Sequence, residues 1–323
     1  VPDDSAAEGY LRAYFPDAAR NAAGTVALRG HRLSREIIVT QLVNDLVDLM
    51  GAAFTNRMVR DTGATPPEIA RAWLIGSQLC GARELRDTLA QVELELPATV
   101  VYRWLRGLGR VLERTARWVL ANVPARTPAT AVIDEHLDGL DRLRTHFGEV
   151  LAGEERGIFE ARVREMQELT KKNDLAERLI TLRFLDQLLE VLRVARETRT
   201  DPLRTARAHY MTSDLLRVPW LRRMLKQAVH NRWDRRMSQE LLDDLAGAHR
   251  ALTAAVVYAH RPAEPIDDQL ARVREQAAVD LTDFHALLDE IRADGGEPGL
   301  AALALAVREL RTLSRQRTFS FTS

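Results

Sequence analysis

Residues 29–51, RGHRLSREIIVTQLVNDLVDLMG, decide the fold class of this chain. At about 100° per residue, Leu33, Ile37, Ile38, Val39, Leu42, Val43, Leu46, Val47, Leu49 and Met50 cover roughly 200° of a helix. An apolar arc that wide is too broad for a one-sided surface helix and predicts one wrapped by neighbours. Ser34, Gln41, Asn44, Asp45 and Asp48 form the narrow polar stripe. Arg32, Arg35 and Glu36 fall inside the apolar arc, Arg35 near Leu42 and Leu46, and Glu36 near Val43. Burial there demands partners for them, so they are expected to be structural charges.

The same helical grammar extends outward. Val101, Trp104, Leu105, Leu108, Val111, Leu112, Thr115 and Val119 recur at spacings of three and four, with Arg103, Arg106, Arg110, Glu113, Arg114 and Arg117 largely opposite. Leu175, Leu179, Leu182, Leu185, Leu189 and Leu192 repeat likewise, as do Leu300, Leu303, Val307 and Leu310. Hairpin turn signals are confined to Asp138-Gly139, within a helical pattern, and Asp294-Gly295. Thr65-Pro66-Pro67-Glu68 is a helix start, and Gly51, Gly63 and Gly81 suit helix ends. PARTPA at residues 124–129 is the best internal boundary, followed by HRPAEP at 260–265 and DGGEPG at 294–299. The tail at 315–323 reads as loosely docked. The expected fold is all-α, an irregular multi-helix bundle of about ten to twelve helices, with lobes at 1–124 and 130–323. No fixed-period repeat indicates a solenoid.

At 323 residues, 46% hydrophobic and 28% charged, the chain can bury a substantial core. Its 46 basic and 46 acidic residues cancel, which leaves no global electrostatic footprint for nucleic acid or an anionic membrane; neither is expected as a partner. The lone Cys80 excludes a disulfide framework and a cysteine-based zinc site within the chain, in keeping with a reducing cytoplasm. No run approaches the roughly 20 apolar residues that span a bilayer. The chain begins at Val1 and is expected to be a piece of a longer polypeptide.

Sites of chemistry are hard to find. Gly107-Leu108-Gly109 is the nearest approach to a dinucleotide turn, but it sits inside a helical pattern with Leu112 in place of a third glycine; close helix packing is the expectation there. The eight histidines (31, 136, 146, 209, 230, 249, 260 and 285) include no pair at a spacing of three or four. Asp134, Glu135 and His136 are adjacent and should diverge around a helix, and His31 suits a first-turn polar contact. Gly76-Ser77-Gln78 lacks the second glycine of a nucleophile elbow, and Cys80 reads as a buried free cysteine. Residues 217–236, RVPWLRRMLKQAVHNRWDRR, concentrate basic residues with Trp220 and Trp233. That pattern suits a solvated face first, then an acidic partner or another domain, and last a nucleic acid. No catalytic, cofactor-binding or metal-ligating residue is assigned.

Several segments carry a family likeness: Tyr14-Phe15-Pro16, HRLSREIIVTQLVNDLVDLMG, FTNRMVRDTGATPPEIARAW (54–73) and PATVVYRWLRGLGRVLERTARWVL (97–120). DDLAGAHRALTAAVV (243–257) and LAALALAVRELRTL (300–313) continue it. Together they resemble the C-terminal helical region of the large, NAD-specific glutamate dehydrogenases of bacteria. The resemblance implies an assembly or regulatory role within a parent that deaminates L-glutamate oxidatively to 2-oxoglutarate and ammonia. It implies NAD as the parent's cofactor, an upstream catalytic domain of the same polypeptide as partner, and a homo-oligomeric parent. It also implies that the catalytic lysines, the catalytic aspartate and the Rossmann domain lie upstream. Lys171-Lys172, followed by Asn173-Asp174, reads instead as a polar helix junction, and Lys226 is the third lysine. The alternative is a stand-alone helical scaffold or protein-interaction module with no enzymatic activity.

Overall fold

A computed structural model describes residues 52–81, 98–170, 173–230, 235–259, 264–293 and 298–315. The helix expected at 29–51, with Arg32, Arg35 and Glu36, lies outside the described residues, as do His31, Lys171-Lys172, Trp233 and the tail at 316–323.

Every element among the described residues is a helix. In chain order these are α1 (Ala52–Thr62), α2 (Pro66–Leu79), α3 (Ala98–Asn122), α4 (Ala129–Thr145), α5 (Phe147–Val150), α6 (Gly153–Thr170) and α7 (Asn173–Thr198). There follow α8 (Pro202–Leu215), α9 (Val218–His230), α10 (Arg235–Tyr258), α11 (Ile266–Asp280), α12 (Thr282–Ala293) and α13 (Leu300–Arg315). The chain is all-α, as its periodicity predicts. The described residues fall into two compact units. One holds the residues up to Asp141 together with Val163–Leu189; the other holds Arg142–Arg162 and the residues from Glu190 onward.

In the first unit, Thr65 precedes Pro66 at the start of α2, and the Glu68 carboxylate accepts hydrogen bonds from the Thr65 backbone N–H and Oγ1, both at 2.8 Å. Gly63, just past α1, has φ +70° and donates to Val59 O at 2.8 Å, a left-handed helix end that glycine adopts without a Cβ penalty. α2 packs on α1 and α3. Met58, Ile69, Ile75 and Leu79 are fully buried, with Leu108, Leu112, Ala116 and Val119 supplying the buried stripe of α3. The close approach is at Gly76, where a Cβ would stand 3.4 Å from Thr115 Cβ. The packing expected at Gly107 and Gly109 is not found: a Cβ at either would meet nothing within 4 Å. Those glycines sit on the half-exposed flanks of α3, whereas Leu108 between them is buried.

The second unit is built around α8, nine of whose residues are buried. It packs on α5, α9, α10 and α11, while α13 packs on α9, α10 and α12. Leu216, Leu221, Leu225, Leu252, Val273, Leu281, Leu288 and Val307 join one apolar cluster there. Asp201 caps α8, its side chain accepting from Arg204 N at 3.1 Å, with Pro202 opening the helix.

Candidate functional site

α8 is buried on nearly all sides and yet rich in polar residues, so its polar atoms must find partners inside the unit. His209 on α8 and His249 on α10 lie with ring centroids 4.2 Å apart. The His249 ring Nε2 is 2.8 Å from His209 O and donates to it. Thr212 and Thr253 meet at 2.9 Å between their hydroxyls, and Thr253 Oγ1 is 2.9 Å from His249 O. Burial disfavours the imidazolium at both rings: it pushes the pKa of His249 down to about 4, with the Arg222 charge adding to the fall, and that of His209 well below its usual range. His209 Nδ1, Tyr210 Oη and Ser213 Oγ are buried without a hydrogen-bond partner. Beside this pair, the Glu190 carboxylate bridges Arg193, at 2.7 Å, and Arg250. Burial raises its pKa, and the Arg193 charge opposes that rise. Short-range spacing misses the histidine pair because its members are 40 residues apart.

The candidates raised by sequence fall elsewhere. His136 is buried in α4, its Nδ1 2.7 Å from Val132 O and its ring edge-on to Trp118, while Asp134 and Glu135 are exposed. Ser77 is buried in mid-helix without a partner for its Oγ. Cys80 retains some exposure as a residue, but its thiol is enclosed 3.7 Å from Thr115 Oγ1, and burial pushes its pKa up to about 12, which disfavours the nucleophilic thiolate. Gly107-Leu108-Gly109 lies inside the helix α3 rather than at a turn that opens one, so these residues do not fit a dinucleotide pyrophosphate. Among the described residues, no group of three or more His, Cys, Asp or Glu is placed to hold a metal ion.

Among the described basic residues of 217–236, Arg217 and Arg222 are half-buried while Arg223, Lys226 and Arg236 are exposed, and three of the arginines pair with carboxylates. Arg217 bonds Asp289, Arg223 reaches Glu154 at 3.1 Å, and Arg236 reaches Glu240 at 3.0 Å. Trp220 is buried, with the Arg292 guanidinium 4.6 Å from its ring centroid. Trp220 joins Leu221 and Leu225 in the apolar cluster, and Met224 is half-buried against it.

The first unit contains a cleft of about 700 Å³ bounded by the α1–α2 turn, α2, the C-terminal end of α3 and the loop after it. Thr62, Glu68, Arg71, Arg117, Asn122 and Val123 are among its lining residues. Arg117 is compensated by Asp61 at 2.9 Å and Glu113 at 3.0 Å. Arg71 donates through Nη2 to Thr127 O, has its Nε buried without a partner, and forms no ion pair with a described carboxylate. Burial lowers its pKa.

A family model described as the C-terminal part of glutamate dehydrogenase matches residues 1–312. The chain belongs to this family. Among curated proteins, this glutamate dehydrogenase C-terminal region is similar to the NAD-specific glutamate dehydrogenase of Mycobacterium tuberculosis, 28% identical over 316 residues. Its similarity to the protein of the same name from Halomonas elongata is 28% over 319 residues, and to that of Pseudomonas aeruginosa 26% over 316. Each match covers 98% of this chain but only 19–20% of the relative. The family member described here thus spans about a fifth of the length of those relatives. No helix among its described residues is long and apolar enough to cross a membrane.

Proposed function

We propose that this region is a helical accessory domain, serving assembly, domain positioning or regulation, of a large NAD-dependent glutamate dehydrogenase. The whole polypeptide oxidises L-glutamate to 2-oxoglutarate and ammonia with NAD, acts in amino-acid catabolism in the cytoplasm, and assembles as a homo-oligomer. Its catalytic lysines, catalytic aspartate and dinucleotide-binding domain belong to sequence upstream of this region, and the upstream domain is its partner. The observation that carries this reading is a family match over nearly the whole chain to relatives named for the reaction, of which the chain spans only a fifth. The poor fit of Gly107-Leu108-Gly109 to a nucleotide supports it.

The test compares three proteins: the full-length polypeptide, the same polypeptide ending before this region, and this chain alone. With glutamate and NAD, the full-length protein is expected to form NADH and this chain alone none. The truncated form should lose native oligomeric mass or most of its turnover. NADH formation by this chain alone, or a truncated enzyme unchanged in both mass and kinetics, overturns the reading.

A further inference from the structure

We propose that the cleft beside Arg71 is a binding site for a small organic anion: one carboxylate or phosphate head carried on an apolar body. Six acidic or basic residues meet in or beside this cleft. Asp61, Glu113 and Arg117 satisfy one another, and Arg57 adds a contact to Glu113 at 2.8 Å. Glu68 is held by Thr65 N and Oγ1 at its own helix start. Arg71 alone of the cleft's cations lacks a carboxylate among the described residues. Its Nη2 bond to Thr127 O anchors the guanidinium between α2 and the α3–α4 loop, which leaves Nη1 and the second Nη2 hydrogen as pre-oriented donors suited to a carboxylate or phosphate. A half-buried guanidinium without a counter-charge is costly, and an anion docked against it supplies the missing charge.

The rest of the lining narrows the ligand. Leu120, Val123 and Pro124 offer apolar surface on the same lining for the body of the ligand. Glu68 on the same lining repels any ligand whose negative charge extends along α2 and so favours a compact anionic head over a polyanion. Asn122 has its Nδ2 committed to Trp118 O at 2.8 Å, which leaves its side-chain oxygen as an acceptor for a polar ligand group. Anion binding here does not depend on what a longer polypeptide catalyses, so its failure and the failure of the proposed enzyme role are separable.

The test is calorimetric titration of the full chain with benzoate, phenyl phosphate and, as a neutral isostere, benzamide. At least one anion is expected to give a saturable isotherm that benzamide does not give. Arg71→Gln should weaken binding at least tenfold. Because Arg71→Gln also removes the Thr127 anchor, a second variant leaves that bond in place: Ala121→Glu sets a carboxylate on an exposed, cleft-lining position of α3. It should abolish anion binding while leaving the helical circular dichroism spectrum unchanged. Saturation by benzoate alone assigns a carboxylate head, and by phenyl phosphate alone a phosphate head; either supports the site. No saturation by either anion, equal binding of benzamide, or wild-type affinity in Ala121→Glu overturns it.

Discussion

His209 and His249 face each other as neutral rings in the core of the second unit, where burial couples them to acid. Their folded pKa values are depressed, so between those values and about 6.5 the unfolded chain binds the extra protons and stability falls as pH falls. For His249 the window runs from about 6.5 down to about 4. Its full cost across that window is about 3 kcal/mol. Urea unfolding of the wild type should lose midpoint steadily from pH 7 to pH 5, and His249→Gln should show a flatter dependence; equal slopes would reject the histidine as the cause. Gly153 offers a second residue-scale test. Its φ is +47°, and a Cβ there would stand 1.9 Å from Asp214 Oδ1, the carboxylate that also accepts from Arg274 at 3.3 Å. Gly153→Ala is therefore expected to cost about 1–2 kcal/mol from the left-handed backbone alone, with more from displacing Asp214. A denaturation midpoint matching wild type would show that this backbone relaxes freely.

Helix pairing in the first unit depends on Gly76 of α2, which lets the helix approach Thr115 and Ala116 of α3. A methyl group there makes ordinary contact at 3.4 Å, so Gly76→Ala should be close to neutral, with helix propensity in its favour by about 1 kcal/mol. Gly76→Leu has nowhere to place its extra carbons without parting the two helices, and should cost about 1–3 kcal/mol. The thermal melts of the two variants should therefore move apart, and a tolerated leucine would mean that α2 and α3 are not tightly seated. At this scale the sequence was informative. The Thr65-Pro66-Pro67-Glu68 start, the glycine end at Gly63 and the break at 124–129 stand where proline, glycine and capping chemistry indicate, because those signals act within a few residues. The assignment of close packing to Gly107 and Gly109 failed for a complementary reason: a small residue permits a close approach, but only a neighbouring helix can use it.

Across the whole molecule, the first unit recruits Val163–Leu189, so its core includes Ile180, Phe184, Leu185 and Leu188 from a segment distant in sequence, and Arg114 on α3 bonds Asp186 on α7. A fragment ending at Asp141 lacks those side chains. It should show less helix per residue by circular dichroism and a broader melt than the intact chain; a sharp melt at the intact chain's temperature would mean the recruited segment adds nothing. What the sequence determined by itself is the all-α class, the principal helix breaks and the family, since periodicity, capping and motif likeness are each written along the chain. What only tertiary structure decided is which distant residues meet: His209 with His249 at a separation of 40, Arg71 with Thr127 at 56, and Arg114 with Asp186 at 72. A helical pattern states which face is apolar but not which helix covers it, and the partner of a buried charge is chosen by that covering helix.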